Sequence, residues 1–139
     1  MNAFNRQTGL FIAAVLASSA SLPGLSDHGS IGTERALAAS PQEKAQARNE
    51  LDQAIASLSS ADAAYAAGNP ARARAKLEEA RSSWNKVSSA LSAREARGPE
   101  LLFDSLGTVL KSGAPAVEVN SRVYVLVEEL SEDIAAQLR

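Results

Sequence analysis

No cysteine occurs among the 139 residues, which excludes disulfides, thiol chemistry, c-type haem attachment and thiolate metal sites. One histidine (His28) and one methionine (Met1) leave no His-rich or Met-rich metal site either. Aromatic residues make up 4% of the chain and the formal net charge is −2, so neither a basic surface nor aromatic interleaving points to nucleic acid. Serines are plentiful, but the only histidine lies upstream of the part expected to fold, and no glycine-rich phosphate loop is present. These gaps predict a non-enzymatic protein with no catalytic residues and no organic cofactor. The length suits one domain.

What is present begins with a segment that reads as an address. "MNAFNRQTG" carries one arginine and no acid, and "LFIAAVLASSA" is an apolar run ending in small residues before Pro23-Gly24. The run is well short of the ~20 residues that span a bilayer. It fits the hydrophobic region of a secretory signal and predicts an extracytoplasmic, periplasmic location. Two small-x-small sites compete for cleavage, after Ala20 and after Ala38, and an uncleaved inner-membrane anchor is the alternative. Residues 1–38 are thus expected to be signal peptide and disordered leader, and 40–139 a helical domain.

Four prolines then organise the rest. Proline suits the first helical position, where its missing N–H would have no helical partner. Ser40-Pro41-Gln42-Glu43 is a capping box with proline in it, and Asn69-Pro70 places an Asn cap before a second start. Gly98-Pro99 and Gly113-Ala114-Pro115 combine a stop with a start. The pattern predicts helices at about 41–67, 70–97, 99–111 and 115–138, an all-α antiparallel four-helix bundle. Leu51, Ile55, Leu58 and Tyr65 lie on the first, Leu77, Ala80, Trp84, Val87 and Leu91 on the second, and Leu102, Phe103, Leu106, Val109 and Leu110 on the third.

The last segment is ambiguous in itself. Odd positions from Val117 to Val127 are all Val except Ser121, an alternation that suits a half-buried strand. Read at helical spacing, the same region gives Val119, Val123, Leu126, Leu130, Ile134 and Leu138. A strand would need a partner, and no other segment offers one. Valine's strand preference spans only ~1 kcal/mol, so the helix reading is preferred. Val117, Tyr124 and Val125 then flank the main stripe and widen the apolar face. Residues 101–138 hold sixteen large apolar side chains against eight in the first two helices, which predicts a contact surface at Val117, Tyr124 and Val125. Its partner would be a membrane transport component or a second copy of the chain.

Two polar features complete the reading. Glu128, Glu129, Glu132 and Asp133 form an acidic group whose members pair one turn apart, chemistry suited to weak binding of Fe³⁺ or another hard cation. A solvated helix face is the simpler account. The predicted second helix carries seven cations against three carboxylates, whereas 99–139 carries three against seven. Complementary faces within the bundle explain both, and contact of the second helix with anionic lipid headgroups is the alternative.

"SLSSADAAYAAGNPARARAKLEEA" followed by "LLFDSLGTVLKSGAPAVEVNSRVYVLVEEL" resembles the extracytoplasmic helical domain associated with bacterial high-affinity iron permeases. The matching residues are Ala64, Tyr65, Ala67, Gly68 and Asn69, then Gly113, Ala114, Pro115, Glu118 and Val119, within about residues 50–138. The resemblance implies an iron-uptake setting and carries no iron ligand onto this chain. A Tyr-x-x-Gly-(Asp/Asn) turn also occurs in tetratricopeptide hairpins, so a membrane-anchored structural hairpin protein stays open as a reading.

Overall fold

Ser40 opens the folded chain as the capping box requires. Its hydroxyl accepts from Glu43 N at 3.1 Å, and the Glu43 carboxylate accepts from Ser40 N at 3.2 Å. The computed structural model describes residues 39–139; the expected signal, leader and both cleavage sites lie outside the described residues. Helix α1 runs Pro41–Ala66, α2 Pro70–Ser88, α3 Ala93–Ser112 and α4 Ala116–Glu129. A π-helical segment, Leu130–Ile134, then leads into a last turn, α5 Ala135–Gln137. The described residues are all-helical, with no strand. None of these helices is long and apolar enough to cross a membrane.

Gly68 and Gly113 end α1 and α3 in the left-handed region, with φ of 80° and 68°. After α1, Asn69 N donates to Ala64 O and Gly68 N to Tyr65 O, the paired bonds of a Schellman stop. Asn69 then caps α2 by accepting from Arg72 N at 3.1 Å.

The boundary between the second and third helices departs from expectation. The second helix was to reach residue 97 and the third to begin at Pro99. Instead α2 stops at Ser88, and Pro99 lies inside α3. The hydroxyls of Ser88 and Ser89 donate to the carbonyls of Asn85 and Lys86, at 3.0 and 2.6 Å, drawing those acceptors away from helix continuation. Ser92 and Glu95 then form a second capping box. An interior proline costs a helix about 3 kcal/mol; here burial of the ring in the core opposes that cost. A smaller correction falls at Pro115, which caps α4 from outside rather than occupying its first position.

The 117–127 region is helical, and Val119, Val123, Leu126, Leu130, Ile134 and Leu138 are all buried. From Leu126 onward the buried positions recur every four residues, which would drift about 40° per step in an α-helix. The π segment absorbs that drift, with Ala135 N reaching back to Leu130 O, so Ile134 and Leu138 still face inward. A continuous α-helix over 115–138 was expected; the four-residue spacing is why it is not one.

The helices touch in a closed cycle, and one polar tie marks each junction. Lys86 Nζ meets Glu50 Oε1 at 3.1 Å between α2 and α1, and Arg81 meets Asp104 at 2.7 Å between α2 and α3. Arg122 Nη1 reaches Ser105 Oγ at 3.1 Å between α4 and α3, and Asn120 Nδ2 reaches Asp62 Oδ2 at 2.7 Å between α4 and α1. Half of the buried positions of α1 and α2 are alanine (Ala47, Ala54, Ala61, Ala64, Ala73 and Ala80), which lets the helices approach closely. Bulk comes from Trp84 and Phe103, whose ring centroids lie 6.1 Å apart.

Candidate functional site

Large apolar side chains that water can reach are concentrated in one region. Val117 is 76% exposed, Tyr124 66%, Leu101 60% and Val125 45%. Three of them lie on α4, spaced seven and eight residues from Val117 with Ser121 between, so they share its outer face. That face is opposite the buried stripe, and the flanks of α4 are taken by its ties to α1 and α3.

Leu101 was not among the sequence-derived candidates. It lies two residues from the buried Pro99 and Phe103, about 200° round the helix from both, so helical spacing already sets it off the buried stripe, on the side of exposed Asp104 and Thr108. The register of the α3–α4 seam places it. A side chain added at Gly98 would sit 3.1 Å from Glu129 Oε1, and Ser105 meets Arg122. Leu101, midway between Gly98 and Ser105, is therefore level with Val125, midway between Glu129 and Arg122.

The acidic group does not converge. Glu128, Glu132 and Asp133 are exposed, while Glu129 is half-buried against Gly98. Its carboxyl is held above the ordinary value of 4.5, first by desolvation, then by hydrogen bonding to Asp133 and repulsion from its charge. Among the described residues no three His, Asp or Glu side chains are arranged to hold a metal ion. The reason is geometric: neighbours one apart on a helix point in different directions, so the four carboxylates split into two pairs.

The basic second helix also changes character. Arg94 and Arg97 belong to α3, and within α2 Lys76, Arg81 and Lys86 already have carboxylate partners in Glu79, Asp104 and Glu50. Arg81 also lies 5.6 Å over the Phe103 ring. A cleft of about 390 Å³ between α2 and α3 is lined by Arg74, Arg81 and Lys111 but also by Glu78 and Asp104. That balance is too even for strong selection of anions.

The residues that carry the family resemblance come together. The Tyr65 hydroxyl donates to the Ala114 carbonyl, joining the end of α1 to the turn between α3 and α4. Gly68 and Gly113 supply the two left-handed stops, Asn69 and Pro115 are helix caps, and Ala64 and Val119 are buried. Glu118 is exposed. The matching positions thus build helix ends and one clasp between them. Compared with family models, curated proteins and solved structures, the chain matches none.

Proposed function

We propose that this chain is a non-enzymatic interaction module, an antiparallel four-helix bundle that associates through the outer face of α4. The setting proposed for it is extracytoplasmic and linked to iron uptake. The carrying observation is where apolar surface is left over. All eight large apolar residues of the first half (Leu51, Ile55, Leu58, Tyr65, Leu77, Trp84, Val87 and Leu91) are buried or half-buried. In the second half Leu101, Val117, Tyr124 and Val125 are not. Isolated exposed apolar residues are ordinary, but several on one helix face mark a contact site.

Export rests on the character of residues 1–38, and the iron-uptake setting rests on the resemblance alone. The antiparallel arrangement is supported by short connections between helices and by the Glu50–Lys86 tie, which joins the early part of α1 to the late part of α2. Anionic lipid headgroups are a weaker reading for α2, because three of its cations are paired within the chain.

The test is a photo-reactive amino acid placed at position 124 of the full chain in cells, with position 75 on α2 as the control. Cross-linked products at 124 and none at 75 are the expected result. The Tyr124→Ser/Val125→Ser variant should lose association while keeping its helicity. Absence of any product at 124, or unfolding of the double variant, would overturn the docking role. N-terminal sequencing of the mature protein tests export, with a start at residue 21 or 39 expected.

A further inference from the structure

We propose that the cleft between α2 and α3 binds a small zwitterion of dipeptide size, with its carboxylate between Arg74 and Lys111 and its ammonium group at Glu78. All the residues that line this cleft belong to α2 and α3. The proposal is therefore independent of the docking role of α4.

The register of the two helices sets the layout. Arg81 meets Asp104 at 2.7 Å, and a side chain added at Gly107 would lie 3.7 Å from Arg81 and 3.8 Å from Leu77. Level positions thus descend on α2 as they ascend on α3. One further step sets Arg74 level with Lys111, and both line the cleft.

Charge is then sorted along the cleft. Arg81 and Asp104 neutralise each other, and Arg81 is also held over the Phe103 ring. Among the described residues Arg74, Glu78 and Lys111 take part in no ion pair. Two cations across one seam repel, and a carboxylate between them relieves that repulsion. Glu78 lies one turn further on, about 6 Å along the axis at about 1.5 Å per residue. It opposes a simple anion and attracts an ammonium group. The even balance of charge that works against anions therefore favours a ligand carrying both signs. Two extended residues span at most about 7 Å, so the termini of a dipeptide match this separation and those of a single amino acid do not.

The floor of the cleft is made by Leu77, which is buried, and Gly107. Glycine inside a helix weakens it relative to alanine. Gly107 is not left-handed, and an alanine there would meet its neighbours at ordinary contact distance. Neither a turn nor close packing calls for glycine at this position. Its effect is to keep the floor open beside Leu77, in a cleft of about 390 Å³. Small-molecule sites occupy about 300–1,000 Å³. Arg74, Glu78 and Lys111 are exposed, so water and salt screen them and the expected Kd is on the order of 1 mM.

The test titrates the isotope-labelled full chain with glycyl-leucine at neutral pH and follows backbone amide shifts by NMR. Acetyl-glycyl-leucine, which lacks the ammonium group, and glycyl-leucine amide, which lacks the carboxylate, are the controls. Amides around Gly107 should shift and saturate with the free dipeptide, and each blocked form should bind about tenfold more weakly, as loss of a charged hydrogen bond does. Arg74→Gln, Lys111→Gln and Glu78→Gln should each weaken binding by a similar factor. Gly107→Leu should fill the floor and abolish binding while circular dichroism shows an intact helical fold. Should that variant lose helicity, Gly107→Ala, whose side chain fits, carries the same test through weakened binding. The proposal is overturned if no saturable shift occurs near Gly107 up to about 50 mM dipeptide, a limit well above the expected Kd. It is equally overturned if either blocked form binds as well as the free dipeptide, or if the charge variants bind like the wild type.

Discussion

Replacing Tyr65 by phenylalanine removes one oxygen and one hydrogen bond, and the structure fixes what should follow. The hydroxyl donates to the Ala114 carbonyl across 49 positions of sequence, in a partly buried site. A neutral intramolecular hydrogen bond contributes about 0.5–1.5 kcal/mol net. Ala114 is half-buried rather than buried, so the further penalty for an orphaned acceptor is taken as small. Tyr65→Phe should therefore destabilise by about 1 kcal/mol, and in a domain of this size that lowers Tm by about 4–8 °C. Thermal unfolding followed by circular dichroism reads this directly. Because Gly113 sets the turn that presents Ala114, the effect of Tyr65→Phe should shrink in a Gly113→Ala background, where a side chain at φ 68° strains that turn. A Tyr65→Phe protein with the Tm of the wild type, or full additivity with Gly113→Ala, would refute the view that the motif is a clasp between helix ends.

Two further outcomes follow from the helix boundaries and the α3–α4 seam. Ser92→Ala should cost about 0.5–2 kcal/mol, as loss of a helix cap does. Ser92 also holds Glu95 below its ordinary pKa of 4.5, through backbone and then side-chain hydrogen bonding, so that group stabilises above pH 4.5 and its contribution is lost on acidification. Ser92→Ala keeps the backbone N–H that is the larger cause and removes only the hydroxyl, so stability should fall while most of this pH dependence persists; an unchanged stability would return the helix start to Pro99. Glu129 has the opposite sign. Its folded pKa is raised, so its charged form disfavours the fold above pH 4.5, increasingly as pH rises through the folded value. Glu129→Gln should raise Tm at pH 7 and have little effect near pH 4, and a lower Tm at pH 7 would show that the carboxylate has a favourable partner.

How far the sequence reveals the fold depends on how local each signal is. Ser40-to-Glu43, Asn69-Pro70 and Gly113 act within one turn, and all three do in the structure what their chemistry predicts. The same box at Ser92-to-Glu95 is equally local, yet Gly98-Pro99 three residues later gives a stronger helix-breaking signal and masks it. Only the burial of the Pro99 ring, a tertiary fact, reverses the order. The π segment was visible as a run of four-residue steps from Leu126 to Leu138, although the run fits an α-helix well enough to pass as one. The exposure of Leu101 was legible from its offset of two residues from Pro99 and Phe103, whereas the inward turn of Glu129 was not, because it depends on which residue of α3 stands opposite which residue of α4. The acidic group shows the limit most plainly: spacing puts carboxylates on one helix, but convergence requires a second element, and Gly98 receives only Glu129.

That dependence on register also explains why the C-terminal half carries apolar surface it does not bury. The outermost side of α4 faces neither α1, which takes Asn120, nor α3, which takes Arg122. A helix at the edge of a cycle of four needs one apolar stripe, and Val119, Val123, Leu126 and Leu130 already provide it. Val117, Tyr124 and Val125 add nothing to that stripe. In water each would leave fewer apolar atoms exposed if it were alanine or a polar residue, so folding stability gives no reason for their presence. Association does give one. If Val117→Ser, Tyr124→Ser and Val125→Ser each leave Tm unchanged at low protein concentration but lower it at high concentration, the surplus belongs to an interface. A fall in Tm that is independent of concentration would assign these side chains to the fold of the single chain instead.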